Sequence, residues 1–153
     1  MRLRNLTVAV VVATLAVAMF GGPALAKTMV ADVEGGRLLT ADLLGANEVP
    51  GPGDPDGSGT AVVSVNPSAL RLCYELTAEG IAPAKAAHIH EGPSGEAGPV
   101  VVTLAPLADG SSSGCMVEDE TLLKDIKKNP AEFYVNVHNS EFTAGAIRGQ
   151  LSR

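Results

Sequence analysis

The sequence predicts an all-β domain, an antiparallel β-sandwich of about 7–8 short strands with one short helix near residues 119–128. Three observations carry this expectation. Short blocks rich in Val and Leu recur along the chain, and the 17 glycines and 10 prolines fall largely between them. Several blocks alternate apolar and polar residues, the period-2 signature of a half-buried strand. Only residues 119–128 switch to helical spacing, placing Leu122, Leu123 and Ile126 on one face with acids early and lysines late.

The first 26 residues stand apart. Arg2 and Arg4 precede an uncharged apolar run from Val8 to Phe20, and Ala24-Leu25-Ala26 forms a small-x-small cleavage site. This is the pattern of a secretory signal peptide cleaved after Ala26, too short for a membrane span of about 20 residues. The expected organisation is a leader (1–26), a polar lead-in (27–37) and one domain (38–153). Losing Arg2 and Arg4 leaves nine cations against 17 acids, so the net charge moves from −6 to −8. Such a chain is a poor partner for nucleic acid and for anionic membranes, and no stable membrane insertion is expected after cleavage. The expected location is secreted.

Within the domain, Arg37–Leu44 is β-like and residues 51–59 form a Gly/Pro/Asp-rich loop. Asp54 and Asp56 invite a calcium reading, but no further spaced acid completes a loop of the EF-hand type, and a solvated loop is expected. Thr60–Val65 and Ala69–Leu76 read as strands joined by the turn Asn66-Pro67-Ser68, with Leu70, Leu72 and Tyr74 on one face. Lys85–His90 and Pro99–Leu104 are strands around a Gly-rich loop at 91–98. Residues 110–114 read as a turn leading into Cys115–Val117, and Asn129-Pro130 ends the helix. Glu132–His138 and Gly145–Leu151 close the chain as strands. The Gly-rich loops at 51–59 and 91–98 are candidate contact regions.

Cys73 and Cys115 are the two cysteines. In an oxidising compartment they permit one disulfide, worth about 4 kcal/mol for a loop of this span. Two buried free thiols, or a soft metal pair, are the competing readings.

The histidines carry the candidate chemistry. His88 and His90 form an H-x-H pair in Ala87-His88-Ile89-His90-Glu91-Gly92, and on a strand both imidazoles project from one face. Tyr134, Asn136 and His138 share a face of their strand, as do Ala146, Arg148 and Gln150 of the last one. Three readings follow. The cluster His88, His90, His138, Asn136, Arg148 and Gln150 can be a hydrogen-bonded polar network at one end of the sandwich. The three histidines can instead bind copper or zinc. Enzymatic activity is the third reading: the H-x-H-Glu string is similar to the copper-ligand strand of copper–zinc superoxide dismutases, but three histidines fall short of that enzyme's full set.

Ala-His-Ile-His-Glu-Gly at 87–92, Gly-x-x-Gly-Pro-Val-Val-Val at 95–102, Tyr-Val-Asn-Val-His at 134–138 and Gly-Ala-Ile-Arg-Gly-Gln-Leu at 145–151 together resemble the CHRD domain. This module is repeated in the animal protein chordin and occurs singly in secreted bacterial proteins. The resemblance covers roughly residues 38–151 and implies an immunoglobulin-like sandwich. Thr143 and Ala146 depart from it, standing where Pro and Glu are usual. Chordin's growth-factor binding, which relies on cysteine-rich modules, is not carried over. The expected function is a non-enzymatic extracellular binding or structural module, its partner an extracellular protein or a metal ion.

Overall fold

The computed structural model describes residues 35–153; the expected leader and residues 27–34 of the lead-in lie outside the described residues. Among the described residues, eight strands run β1 (Arg37–Leu44), β2 (Ser58–Asn66), β3 (Arg71–Glu79), β4 (Ala84–Glu91), β5 (Val100–Leu104), β6 (Ser111–Val117), β7 (Phe133–Asn139) and β8 (Ile147–Gln150). One helix, α1 (Glu120–Lys128), precedes β7. The strands form a single antiparallel sheet in the order β5-β4-β7-β8-β1-β2-β3-β6. No helix among the described residues is long and apolar enough to cross a membrane.

Alternation decides which face turns inward. Leu39, Ala41 and Leu43 of β1 are buried while their neighbours are exposed, and the register carries this phase across the sheet, pairing Leu39 with Val63 and Val63 with Tyr74. Ile89, Val102, Val135 and Ile147 continue it on the other half, and residues from both halves join one hydrophobic cluster. One core shared by the inner residues of seven strands, with Met116 of β6 packed against it, requires the sheet to curl over itself, which gives a sandwich-like, nearly closed barrel. The two edges meet at Ala105, just past β5. Its N–H donates to the Tyr74 hydroxyl at 2.9 Å, and its carbonyl accepts from Ser112 Oγ of β6 at 3.0 Å.

Residues 111–114, expected as a turn, belong to β6. The turn lies one step earlier, where Asp109 (φ 51°) and Gly110 (φ 78°) make a tight reversal of the kind Asp-Gly favours. Glycine is favoured at 114 of this edge strand because the Tyr74 ring lies over it, 3.2 Å from where a Cβ would stand. Leu70 is likewise not a strand residue: it sits at φ 52° after the turn Pro67–Ala69 and is exposed, so its expected place beside Leu72 and Tyr74 is lost. Cys73 pairs in register with Cys115, and the two form a disulfide, so these sulfurs are neither free thiols nor metal ligands.

The helix follows its sequence signals. Asp119 caps it, accepting from the Thr121 and Leu122 N–H groups at 2.8 and 3.1 Å, and these bonds hold its carboxyl below the usual range. Leu123 and Ile126 are buried and join the core, and the helix packs on β2 and the Pro67–Ala69 turn.

Candidate functional site

The outer face of β4, β7 and β8 is polar and largely covered. Register places His88 opposite Asn136 and Asn136 opposite Arg148, with His90, Tyr134 and Gln150 forming the next row. Thus every expected site residue of these strands lies on one face, as the period of 2 requires. The structure divides them into two groups.

The first group is the histidines with Asn136. His88 Nδ1 and Asn136 Oδ1 each lie 3.1 Å from His138 Nε2. His138 Nδ1 lies 3.1 Å from the Thr143 carbonyl, and His90 Nδ1 lies 2.8 Å from the Gly98 carbonyl. A carbonyl only accepts, so in both rings Nδ1 carries the proton and Nε2 keeps its lone pair. His90 Nε2 is buried and has no hydrogen-bond partner. One potential ligand nitrogen from each of His88, His90 and His138 falls within 4.8 Å of the others. Burial first, and then the charges of the other two rings, push the His88 imidazole below its ordinary pKa. Burial also lowers His138, opposed by its bond to Thr143. Both rings are therefore neutral at pH 7.

The second group holds a strap, residues 92–98, across this face. Arg148 Nη2 donates to the carbonyls of Pro93 and Glu96 at 3.0 and 2.9 Å. Gln150 Nε2 donates to Gly92 O and Ala131 O, both at 2.7 Å. The Tyr134 hydroxyl accepts from Gly98 N–H at 3.2 Å. Glycine is required at 98, since a Cβ there would overlap the Glu91 carbonyl. Gln150 and Arg148 thus touch the strap rather than the histidines. Tyr134 joins the groups: the His90 ring stacks on it at 4.7 Å and the Arg148 guanidinium lies 3.4 Å from its centroid. The strap, expected as a contact loop, turns several of its carbonyls inward to these side chains.

Glu48, from the turn after β1, is the residue that sequence reasoning missed. It is 5% exposed, and burial pushes its carboxyl up to about 7 against the opposing pull of Arg148. Its carboxylate fills the space beside Gly145, where a Cβ would collide with it. An acid therefore reaches the neighbourhood of Ala146 from a different segment. Thr143, the other departure, contributes only its carbonyl, so its side chain is not used in the contact with His138. Asp54, expected in a solvated loop, is 8% exposed; its Oδ1 accepts from Asp56 N–H at 3.2 Å and shapes the turn.

The histidine group suits a transition metal. Ligand nitrogens about 2.0–2.1 Å from zinc stand about 3.3 Å apart at tetrahedral angles and no more than about 4.2 Å apart at the limit. The 3.1 Å pair fits, and a pair at the full 4.8 Å spread would need to close by about 0.6 Å. Nδ1–H groups held by backbone carbonyls are the usual outer shell of metal-binding imidazoles. With the Asn136 amide as placed, its oxygen faces the lone pair of His138 Nε2, an arrangement that a cation relieves; the rotated amide would donate instead.

Fold and site define an antiparallel β domain that carries three clustered imidazoles beside a tied strap. The chain belongs to the CHRD domain family, whose model matches residues 39–151. No curated protein and no solved structure matches it.

Proposed function

We propose that this chain is a secreted, non-enzymatic binding domain whose ligand is a copper or zinc ion held by His88, His90 and His138. The observation that carries the reading is His90: its Nδ1 is fixed by Gly98 O, its Nε2 is buried without a hydrogen-bond partner, and the residue clusters with His88 and His138. An unsatisfied buried acceptor has a free-energy cost that a bound cation removes. The lowered pKa values of His88 and His138 favour the neutral rings, the form that coordinates a metal, at pH 7. Membership of a family whose domains are typically extracellular, together with the Cys73–Cys115 disulfide, supports the secreted location.

Titration calorimetry of chelator-treated protein with Zn(II) and with Cu(II) tests the reading. One ion per chain should bind, and His88→Ala/His90→Ala should weaken binding by at least about 100-fold while the thermal unfolding transition persists. Absence of saturable heat, or equal affinity in the variant, overturns it. Superoxide removal by the copper-loaded protein above the level of free copper would overturn the non-enzymatic part alone.

A further inference from the structure

Away from the histidine face lies a concentration of positive charge. The described residues include eight Lys and Arg against fifteen Asp and Glu. Five of those eight cations, Arg37, Lys124, Lys127, Lys128 and Arg153, line one open groove of about 660 Å³ beside α1, with Asp125 the single acid among its lining residues. Helix electrostatics account for Lys127 and Lys128 in the last turn of α1. They do not account for Lys124, nor for Arg37 at the start of β1, nor for Arg153 beyond β8. Arg153 donates to the carbonyl of Lys128 at 2.9 Å, and its guanidinium pairs with no acidic side chain among the described residues. Lys124 does pair with Glu120 at 2.9 Å, but both side chains are more than half exposed, so a competing anion displaces this contact at little cost.

We propose that this groove binds a linear polyanion, a polysaccharide bearing carboxylate or sulfate groups. Three separate chain segments bring like charge to one channel in a domain that is acidic overall. Outside the groove the described residues carry three cations and fourteen acids, by subtraction from the totals above. A broad anionic surface, whether a membrane or a duplex, brings those acids against its own charge and is repelled. A narrow single chain enters the groove and meets, of these acids, chiefly Glu120, whose exposed contact with Lys124 it displaces. The site is separate from the histidines and does not depend on a metal there.

Binding of polygalacturonate and of dextran sulfate to the intact protein, with neutral dextran as reference, tests the proposal and separates carboxylate from sulfate recognition. At least one acidic polymer should bind, with affinity falling as salt rises. Arg37→Glu/Lys124→Glu should lose about tenfold or more in affinity, from two exposed charge contacts turned repulsive. Arg71→Glu/Lys85→Glu changes the net charge equally but leaves the groove intact, and should stay within about threefold of the parent. Thermal unfolding reports whether each pair folds, and Arg37→Gln/Lys124→Gln replaces the first pair if reversal prevents folding. Failure of both polymers to bind overturns the proposal. So does equal loss in the two reversal pairs, which would mark an effect of net charge alone. Stronger binding to anionic vesicles or to nucleic acid than to either polymer overturns the assignment of the occupant.

Discussion

On the inner face of β4, β7 and β8, Ile89, Val135, Val137 and Ile147 are fully buried among other apolar side chains. On the outer face of the same strands, the alternate residues His88, His90, Tyr134, Asn136 and Arg148 are covered just as firmly in places, Arg148 being 2% exposed. The inner residues are held by volume, and any well-fitting hydrocarbon would serve. The outer ones are held by direction. His90, His138 and Arg148 are each aimed through one nitrogen by backbone carbonyls on loops: Gly98, Thr143, and Pro93 with Glu96. Burial on one face lowers free energy by removing hydrocarbon from water, and on the other it raises the penalty for every polar atom left without a partner.

The largest break in this contrast is expected from the inner side. Ile89→Ala leaves a cavity under the histidine strand and should cost about 4 kcal/mol of unfolding free energy in urea titration. Arg148→Met keeps much of the volume on the outer face but removes the donors to Pro93 and Glu96 and the stack on Tyr134. It should cost about 3 kcal/mol. Amide exchange should rise selectively in residues 92–98, a local loosening that Ile89→Ala would not single out.

Glu48 sharpens the contrast through pH. Its folded pKa, about 7, lies above the ordinary value of 4.5 that it regains on unfolding, so the folded state binds more protons in that interval. Its contribution to stability is thus present below the unfolded pKa and is lost as pH rises through 7. The loss should be on the order of 2 kcal/mol between pH 4.5 and 8 in metal-free protein. Glu48→Gln should remove that part of the slope, as read from urea midpoints across the range. His88 and His138 act with the opposite sign, since their lowered pKa values make the folded state bind fewer protons below about 6.5, and stability from them falls as pH drops through the folded values. The smallest effect is expected for His88→Ala without metal, under about 1 kcal/mol, because the ring is only half-buried. Its consequence should appear in metal affinity instead.

Much of the architecture was legible because alternation is written in residue type. Leu39-x-Ala41-x-Leu43 and Val135-x-Val137 declare an inner face, and Asp119 with Leu122, Leu123 and Ile126 declares the helix. The edge strand β6 was not legible: Ser111-Ser112-Ser113-Gly114 has turn composition, and it is extended because β3 pairs with it and Tyr74 needs the space over Gly114. The same period of 2 placed His88, His90, Asn136, His138, Arg148 and Gln150 on one face. It did not separate them into two groups, because what separates them is which loop carbonyl each one reaches. A carbonyl is common to every residue type, so neither Gly98 nor Thr143 could announce its role. Glu48 was hidden for a related reason, as a lone acid between turn residues whose burial depends on Gly53 and Gly145 arriving beside it.

The ladder between β1 and the chain beyond β8 has a mechanical consequence. Thr40 exchanges two backbone hydrogen bonds with Ser152, at 2.9 and 2.8 Å, so the first and last parts of the domain are neighbours running in opposite directions. Tension applied through the two ends would pull them apart at that pair and load its hydrogen bonds one after another, like a zipper, rather than shearing a whole strand at once. A polymer tethered at these ends would feel a domain that opens early under force, starting at Thr40 and Ser152.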